Sequence, residues 1–199
     1  MRTGIFGGTF NPVHNGHVKL AEAYVSALHL DRLLIIPTNI PPHKTNTGLV
    51  DGMHRLAMCK LAFFNHPQIE VCDLELKREC KSYTVDTLEQ LTQLYPNDQF
   101  YLIMGSDMFC SLTDWYCWQR IIQLAVICAG ARQSNMTDLN MHEQCRKLET
   151  LGANCELVDF DPLPISSTMV REQIRKKEPI DGLIAPAVAD YIQKHHLYQ

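Results

Sequence analysis

The sequence predicts a doubly wound α/β fold: a mainly parallel sheet with helices on both faces. Three observations carry the prediction. Six short runs rich in β-branched and aromatic residues recur along the chain. Longer segments with helical spacing separate them. The short runs are apolar almost throughout instead of alternating with polar residues, as strands buried on both faces must be. Strand and helix in alternation, with buried strands, give a Rossmann-like arrangement.

The strands are read at Thr3–Phe6, Leu33–Ile36, Ile69–Leu74, Phe100–Met104, Ala125–Ala129 and Cys155–Phe160, each bounded by polar, Gly or Pro residues. A first helix opens near Gly16-His17 and places Leu20, Ala21, Tyr24, Val25 and Leu28 on one face. Further helices are read over Met53–Phe64, Val85–Leu94 and Leu139–Leu151. Two loops stand out. Pro37-Thr38-Asn39-Ile40-Pro41-Pro42-His43-Lys44, with three prolines, cannot be regular structure and follows the second strand, on the edge where α/β folds bind ligands. Phe160-Asp161-Pro162-Leu163-Pro164 leads into Ile165-Ser166-Ser167-Thr168-Met169-Val170-Arg171. No repeat or linker divides the chain, so residues 1–199 read as one domain with a helical segment from about residue 165.

Composition narrows the function. The 199 residues are 46% hydrophobic and 20% charged, a balance that supports a packed core. The formal charge of -4 lacks the basic field of a nucleic-acid binder. Any anion site must therefore be local, made of backbone N–H groups and a few cationic side chains. No run approaches the ~20 apolar residues of a membrane span, and the N-terminus has no signal-peptide pattern, so a cytoplasmic location is expected. The eight cysteines have no CxxC spacing and several sit in apolar runs, which reads as small buried hydrophobes with free thiols and no metal site. A homo-oligomer is among the assemblies the sequence allows, and it fixes none of them.

The densest chemistry lies in Gly7-Gly8-Thr9-Phe10-Asn11-Pro12-Val13-His14-Asn15-Gly16-His17. A glycine-rich turn between a strand and a helix lets a phosphate approach the main chain, and the helix N-terminus favours negative charge. This is neither GxGxxG nor the lysine-bearing phosphate loop. His14 and His17, three residues apart at a helix start, take the cationic or donor role and can converge on one anion. Metal ligation is the competing reading, but the spacing is not the i, i+4 of HExxH and no carboxylate accompanies them. In the second motif, Ser166 and Ser167 are good helix caps, the N–H groups that follow can bind phosphate, and Arg171 stands about one turn on with its planar fork. Taken alone, that motif would read as an ordinary capped helix with an exposed arginine.

The first string resembles the signature of the HxGH nucleotidyltransferase superfamily, and residues 165–171 resemble its second signature. Within the superfamily the chain is similar over its full length to bacterial nicotinate-nucleotide adenylyltransferases. The similarity includes Pro41-Pro42-His43-Lys44, Ser82-Tyr83-Thr84-Val85-Asp86-Thr87-Leu88, Gly105-Ser106-Asp107, Trp115-Tyr116 and Trp118. The resemblance implies transfer of AMP from ATP to nicotinate mononucleotide, giving the deamido dinucleotide and pyrophosphate, with Mg²⁺ on the triphosphate. It implies His14, His17 and Arg171 as catalytic residues. ATP would be held by Gly7, Gly8, Thr9, Phe10, Gly16, Gly105, Asp107, Ile165, Ser166, Ser167 and Thr168.

On the acceptor side the resemblance implies that Lys44 meets the mononucleotide phosphate, Thr84 the ring region, and Trp115 the face of the pyridine. A helix capped by Thr113 or Asp114 would present N–H groups, that of Tyr116 among them, to the nicotinate carboxylate. Trp115 could equally be a core aromatic, and Asp107, matched to a ribose contact, could equally be a helix cap. The chain departs from the family with Arg132-Gln133-Ser134 where an Arg-Pro-Gly run is frequent, and with Asn11 where Asp is common; a turn-forming role is expected of Asn11. Nicotinamide mononucleotide, phosphopantetheine, or nucleotide sensing without catalysis are the alternative readings. Intact His14, His17, Lys44 and Arg171 speak against the sensor.

Overall fold

The computed structural model describes residues 1–39, 48–78, 81–131 and 136–199, with backbone alone for 131 and 136–139. Lys44, Cys80 and Arg132 therefore lie outside the described residues. Six strands form a single sheet: β1 (Arg2–Gly8), β2 (Arg32–Pro37), β3 (Ile69–Val71), β4 (Gln99–Met104), β5 (Ala125–Ala131) and β6 (Cys155–Asp159). Their order is β3-β2-β1-β4-β5-β6, and every neighbouring pair is parallel. The helices are α1 (Asn15–Ala27), α2 (Gly52–Ala62), α3 (Thr84–Leu94), α4 (Ser106–Cys110), α5 (Trp118–Leu124), α6 (Met136–Thr150), α7 (Ser167–Lys176) and α8 (Pro186–Lys194).

The period of two along each strand sorts side chains onto two cores. Phe6, Leu33, Ile35, Tyr101, Ile103, Val126 and Cys128 point to a face covered by α1, α2, α7 and α8, through residues such as Tyr24, Met58, Val170 and Val188. Their strand neighbours Ile5, Leu34, Ile36, Leu102, Met104 and Ile127 point to the other face, against Leu88 of α3, Phe109 of α4, Ile121 of α5 and Leu148 of α6. Two buried faces explain why the strands read as unbroken apolar runs. A Cβ on Gly4 at the centre of β1 would come within 2.6 Å of the Leu30 and Leu33 side-chain methyls, so a larger residue there would displace both.

The six strands and four helices read from the sequence are present, with shifted ends. The third strand was expected to reach Leu74 but ends at Val71. Beyond Cys72, whose N–H still donates to the Ile35 carbonyl, Asp73 turns the chain by accepting the N–H groups of Leu76 and Lys77 on its own carbonyl. As the edge strand, β3 has one partner only, so a local turn competes with its ladder. The short helices α4 and α5 lie where the sequence offered only candidate caps, Asp107 and Thr113 or Asp114, and α7 and α8 fall within the helical segment expected from about residue 165.

Candidate active site

In this strand order the chain winds one way from β1 and the other way from β4, so the crevice at the carboxyl ends of these adjacent strands is the ligand-binding edge. Two glycines stand there, Gly7 near the end of β1 and Gly105 just past β4. A Cβ on either would meet nothing within 4 Å, so the protein's own packing demands neither glycine. Their bare backbones border open space, which suits a ligand that must approach the main chain closely. Gly8 is different: a Cβ there would meet the Phe10 ring at 2.9 Å. Phe10 folds back with φ of 46°, buries its ring, and meets Phe6 edge-on at 5.6 Å.

His14 and His17 converge at the start of α1, as the spacing suggested. Their ring centroids are 3.6 Å apart with planes inclined by 32°. His14 is the N-cap residue of α1, and its N–H donates to Nδ1 of His17 at 3.2 Å. Accepting at Nδ1 puts the proton of a neutral His17 ring on Nε2, which becomes a donor. Phe10 meets the His17 ring edge-on at 5.1 Å. Gly16 makes room for the pair, since a Cβ there would lie 3.0 Å from Nδ1 of His14. Burial lowers the His14 pKa to about 4, so the ring is neutral at pH 7. A neutral ring is compatible with the donor role read for His14 and not with the cationic one.

The second signature is fastened to the first. Ser166 caps α7, its Oγ accepting the Met169 N–H at 3.1 Å. Ser167 is the first residue of that helix, and its Oγ donates to the Pro12 carbonyl at 2.8 Å. Arg171 donates through Nη1 to the Asn11 carbonyl at 2.8 Å and through Nη2 to Thr168 Oγ1 at 3.2 Å. Ile165 lies beside the histidine turn, 3.8 Å from where a Cβ on Gly16 would be. Ser166 and Thr168 are exposed. Of the two serines read as caps, only Ser166 is one; Ser167 ties the two signatures together.

Of the residues expected to meet the acceptor, the described ones, Thr84, Trp115 and Tyr116, lie in segments on the other face of the sheet. Tyr83 is the N-cap residue of α3 and Thr84 its first residue. The rings of Tyr83 and Tyr116 lie 4.9 Å apart, which brings the Thr84 segment to the Trp115-Tyr116 segment. Trp115 is half-buried and packs against the apolar cluster on that face, while Tyr116 is 61% exposed. The expected helix capped by Thr113 or Asp114 is not formed. Leu112–Asp114 is a 3₁₀ turn closed by Trp115 N–H to the Leu112 carbonyl, Cys117 at φ 51° is the N-cap residue, and α5 starts only at Trp118. The left-handed Cys117 interrupts the run, so the Tyr116 N–H belongs to no helix start. Asp107 lies exposed in the first turn of α4, at the carboxyl end of β4; the N-cap is Gly105, so Asp107 is not the cap its position allowed.

Seven described cysteines are free. Cys59 and Cys128 are buried as expected, but Cys110 and Cys117 are exposed, on the short helix and turn that the sequence did not reveal. Among the described residues no group of three or more His, Cys, Asp or Glu is placed to hold a metal ion. No helix among them is long and apolar enough to cross a membrane.

Sequence reasoning missed three residues that build the site. Asn11, given only a turn role, is buried and binds on three sides: Nδ2 donates to the Gly48 carbonyl, and Oδ1 accepts from Val50 N–H and from Tyr198 Oη at 2.8 Å. Its peptide bond to Pro12 is cis. Tyr198, next to the last residue, gave no local signal. Arg55 did: it lies in α2 on the same buried face as Met58 and Cys59, where a cation is out of place unless something binds it.

The cytidylyltransferase-like family model matches residues 5–173, a span that includes both signatures. Fold, paired histidines and this match define a nucleotidyltransferase of the cytidylyltransferase-like family. A relative from Shewanella frigidimarina (strain NCIMB 400), described as a probable nicotinate-nucleotide adenylyltransferase, is 38% identical over 213 residues covering 100% of both chains. One from Shouchella clausii (strain KSM-K16), with the same description, is 36% identical and covers 99% of this chain and 96% of its own. The chain belongs, within the family, to the nicotinate-nucleotide adenylyltransferases. The fold is shared with Plasmodium falciparum nicotinic acid mononucleotide adenylyltransferase complexed with NaAD, at a TM-score of 0.80 and 22% identity, covering 99% of this chain and 97% of that one.

Proposed function

We propose that this protein transfers the adenylyl group of ATP to nicotinate mononucleotide in one in-line step. The observation that carries the reading is the stacked His14–His17 pair at the switch-point crevice, with the Ser167 and Arg171 helix bonded to the same turn. The acceptor phosphate oxygen attacks the α-phosphorus of ATP, a new P–O bond forms, and the bond from the α-phosphorus to the bridging oxygen breaks. Pyrophosphate leaves with the electron pair. The nucleophile is already an anion at pH 7, so neither a general base nor a covalent intermediate is required. What remains is to hold two polyanions in line and to stabilise charge growing on the leaving group.

The residues fit that task. Gly7 and Gly105 leave space for the nucleotide against bare backbone. We assign the His17 ring as a phosphate donor, and the α1 N-terminus beside it adds a favourable dipole. Arg171 has five N–H donors in its fork, and its two assigned bonds leave others to face phosphate. Mg²⁺ bound to the oxygens of the triphosphate would screen its charge. On the acceptor side we assign Trp115 and Thr84 to the pyridine end, Tyr116 to the rim and Lys44 to the phosphate, with the reaction in the cytoplasm.

The test is an assay of purified protein with ATP, Mg²⁺ and, in turn, nicotinate mononucleotide, nicotinamide mononucleotide and phosphopantetheine. Pyrophosphate and the joined product are both measured. Pyrophosphate release with the nicotinate acceptor, at the highest efficiency of the three, is the expected result. Higher efficiency with another acceptor would reassign the substrate, and ATP binding with no turnover on any acceptor would leave a sensor.

A further inference from the structure

Arg55 is 1% exposed, and a guanidinium keeps its charge even when buried. Four backbone carbonyls surround it. Nε donates to Val50 at 2.9 Å, Nη1 to both Thr9 at 2.8 Å and Thr38 at 2.7 Å, and Nη2 to Asn39 at 3.4 Å. Those carbonyls belong to separate stretches of chain. Thr9 follows β1 in the first signature; Thr38 and Asn39 follow β2; Val50 precedes α2. The β1–β2 ladder ends at Gly8 and Pro37, and one more bond, Thr38 N–H to the Gly8 carbonyl at 2.9 Å, continues it. Past that point the strands no longer pair, and a single nitrogen, Nη1, bridges the two chains.

We propose that Arg55 is a positioning residue for adenylyl transfer, whose buried guanidinium fixes the phosphate-binding turn after β1 against the chain that leaves β2 and so sets how the two substrates face each other. A peptide unit is planar, so capturing the Thr9 carbonyl also fixes the direction of the Phe10 N–H. A carbonyl turned toward a polyanion would repel it; Arg55 holds this one. The same guanidinium holds Thr38 and Asn39, and the Asn39 N–H donates to Ser82 Oγ at 3.3 Å, two residues before Thr84, which we assign to the acceptor ring. Lysine could not substitute, since a compact ammonium cannot span carbonyls on separate chains as a planar fork does. The inference rests on the proposed transfer reaction, because its readout is alignment between two bound substrates.

The experiment uses Arg55→Lys, with circular dichroism and a melt to establish the folded fraction. Calorimetry gives the affinity of ATP and of nicotinate mononucleotide separately, and steady-state assay gives kcat. Misalignment by about 1 Å costs roughly 100-fold, so kcat per folded molecule should fall by that order while each separate affinity stays within about threefold. A merely structural arginine would lower the folded fraction and leave kcat per folded molecule unchanged, and that result overturns the proposal. So does a loss of single-substrate affinity as large as the loss of kcat. Should Arg55→Lys not fold, hydrogen exchange on the unaltered protein decides. Saturation with a non-hydrolysable ATP analogue alone should slow the amides of Thr38 and Asn39 as well as those of Thr9 and Phe10; unchanged exchange at Thr38 and Asn39 overturns the proposal. If the unaltered protein joins no acceptor to AMP, the function reading fails by itself, and the exchange result still reports on the bridge.

Discussion

Arg171 donates to the backbone carbonyl of Asn11 at 2.8 Å, across 160 residues of sequence. Ser167 adds a bond to the next carbonyl, that of Pro12. The two signatures are therefore a single bonded unit, and damage to the second should reach the first. Ser167→Ala removes one neutral hydrogen bond, worth roughly 0.5–1.5 kcal/mol. It should lower Tm by a few degrees and change the KM for ATP little. Arg171→Met removes a charge-assisted bond to Asn11, the bond to Thr168 and the cation itself, so the KM for ATP should rise tenfold or more. Parental ATP kinetics in Arg171→Met would reduce the arginine to a structural tie.

Gly16 offers a gentler perturbation of the histidine pair. A methyl at this position would sit 3.0 Å from Nδ1 of His14, too close by a few tenths of an ångström. Ala is a better helix former than Gly, so the helix itself does not suffer. Gly16→Ala should therefore keep its melting temperature within a few degrees while kcat drops at least tenfold as the His14 ring is displaced. A variant with parental kcat would show that the pair tolerates displacement.

The fold was legible because its signals are short-range and repeated. Leu33, Leu34, Ile35 and Ile36 announce a strand buried on both faces, and Tyr24 with Leu28 announces a helix on one of them. The first signature was legible because its parts lie within eleven consecutive positions. The links between distant segments were not. Nothing near Tyr198 says that its hydroxyl ends on Asn11, and nothing near Ser167 names Pro12 as its partner. The Trp115–Cys117 stretch failed for a different reason. A left-handed cysteine is rare, so the helix was placed at the nearest good cap, Thr113 or Asp114, although the chain begins it at Trp118.

Acid should destabilise the protein through His14. Its pKa is about 6.5 in an unfolded chain and falls to about 4 in the fold through burial. Between those values the unfolded chain binds the extra proton. Stability from the neutral ring is thus fully present above pH 6.5 and is lost as the pH drops toward 4, by at most about 3 kcal/mol. Chemical denaturation from pH 8 to pH 4 should show that decline in the parent and a flatter profile in His14→Asn, where asparagine still suits the cap position. Parallel profiles would mean that His14 is not held neutral by the fold.

Trp115 is half-buried against the core, so the indole has packing to lose as well as a ring to bind. Trp115→Phe keeps an aromatic face and most of the packing; Trp115→Ala keeps neither. Stacking of this kind is worth about 1 kcal/mol, roughly fivefold in affinity. The KM for the mononucleotide should rise by about that factor or more in Trp115→Ala and less in Trp115→Phe, with ATP affinity unchanged in both. Calorimetry showing equal losses for ATP and mononucleotide would assign Trp115 to packing.

His17 gives the sharpest test of the chemistry. Its Nδ1 is occupied by the His14 N–H, and Phe10 packs edge-on against its ring, so the side chain is held in one orientation. The donor we assign to the leaving pyrophosphate is therefore Nε2–H, on a ring whose orientation is set before substrate arrives. ATP in the ground state is expected to meet many groups, including the α7 N-terminus and Arg171, so the loss of one should change affinity little. As the bond to pyrophosphate breaks, negative charge grows on the leaving oxygen, and a donor already in place gains strength without reorganising. Removing one such donor from other enzymes costs roughly 100- to 1,000-fold in kcat, and His17→Ala should lose that much with ATP affinity within a few-fold of the parent. His17→Asn can still accept the His14 N–H and so separates loss of the donor from loss of the local hydrogen bond; it should fold normally and remain equally slow. Near-parental kcat in a folded His17→Ala would make the residue structural, and the pair would then owe its place at the crevice to packing alone.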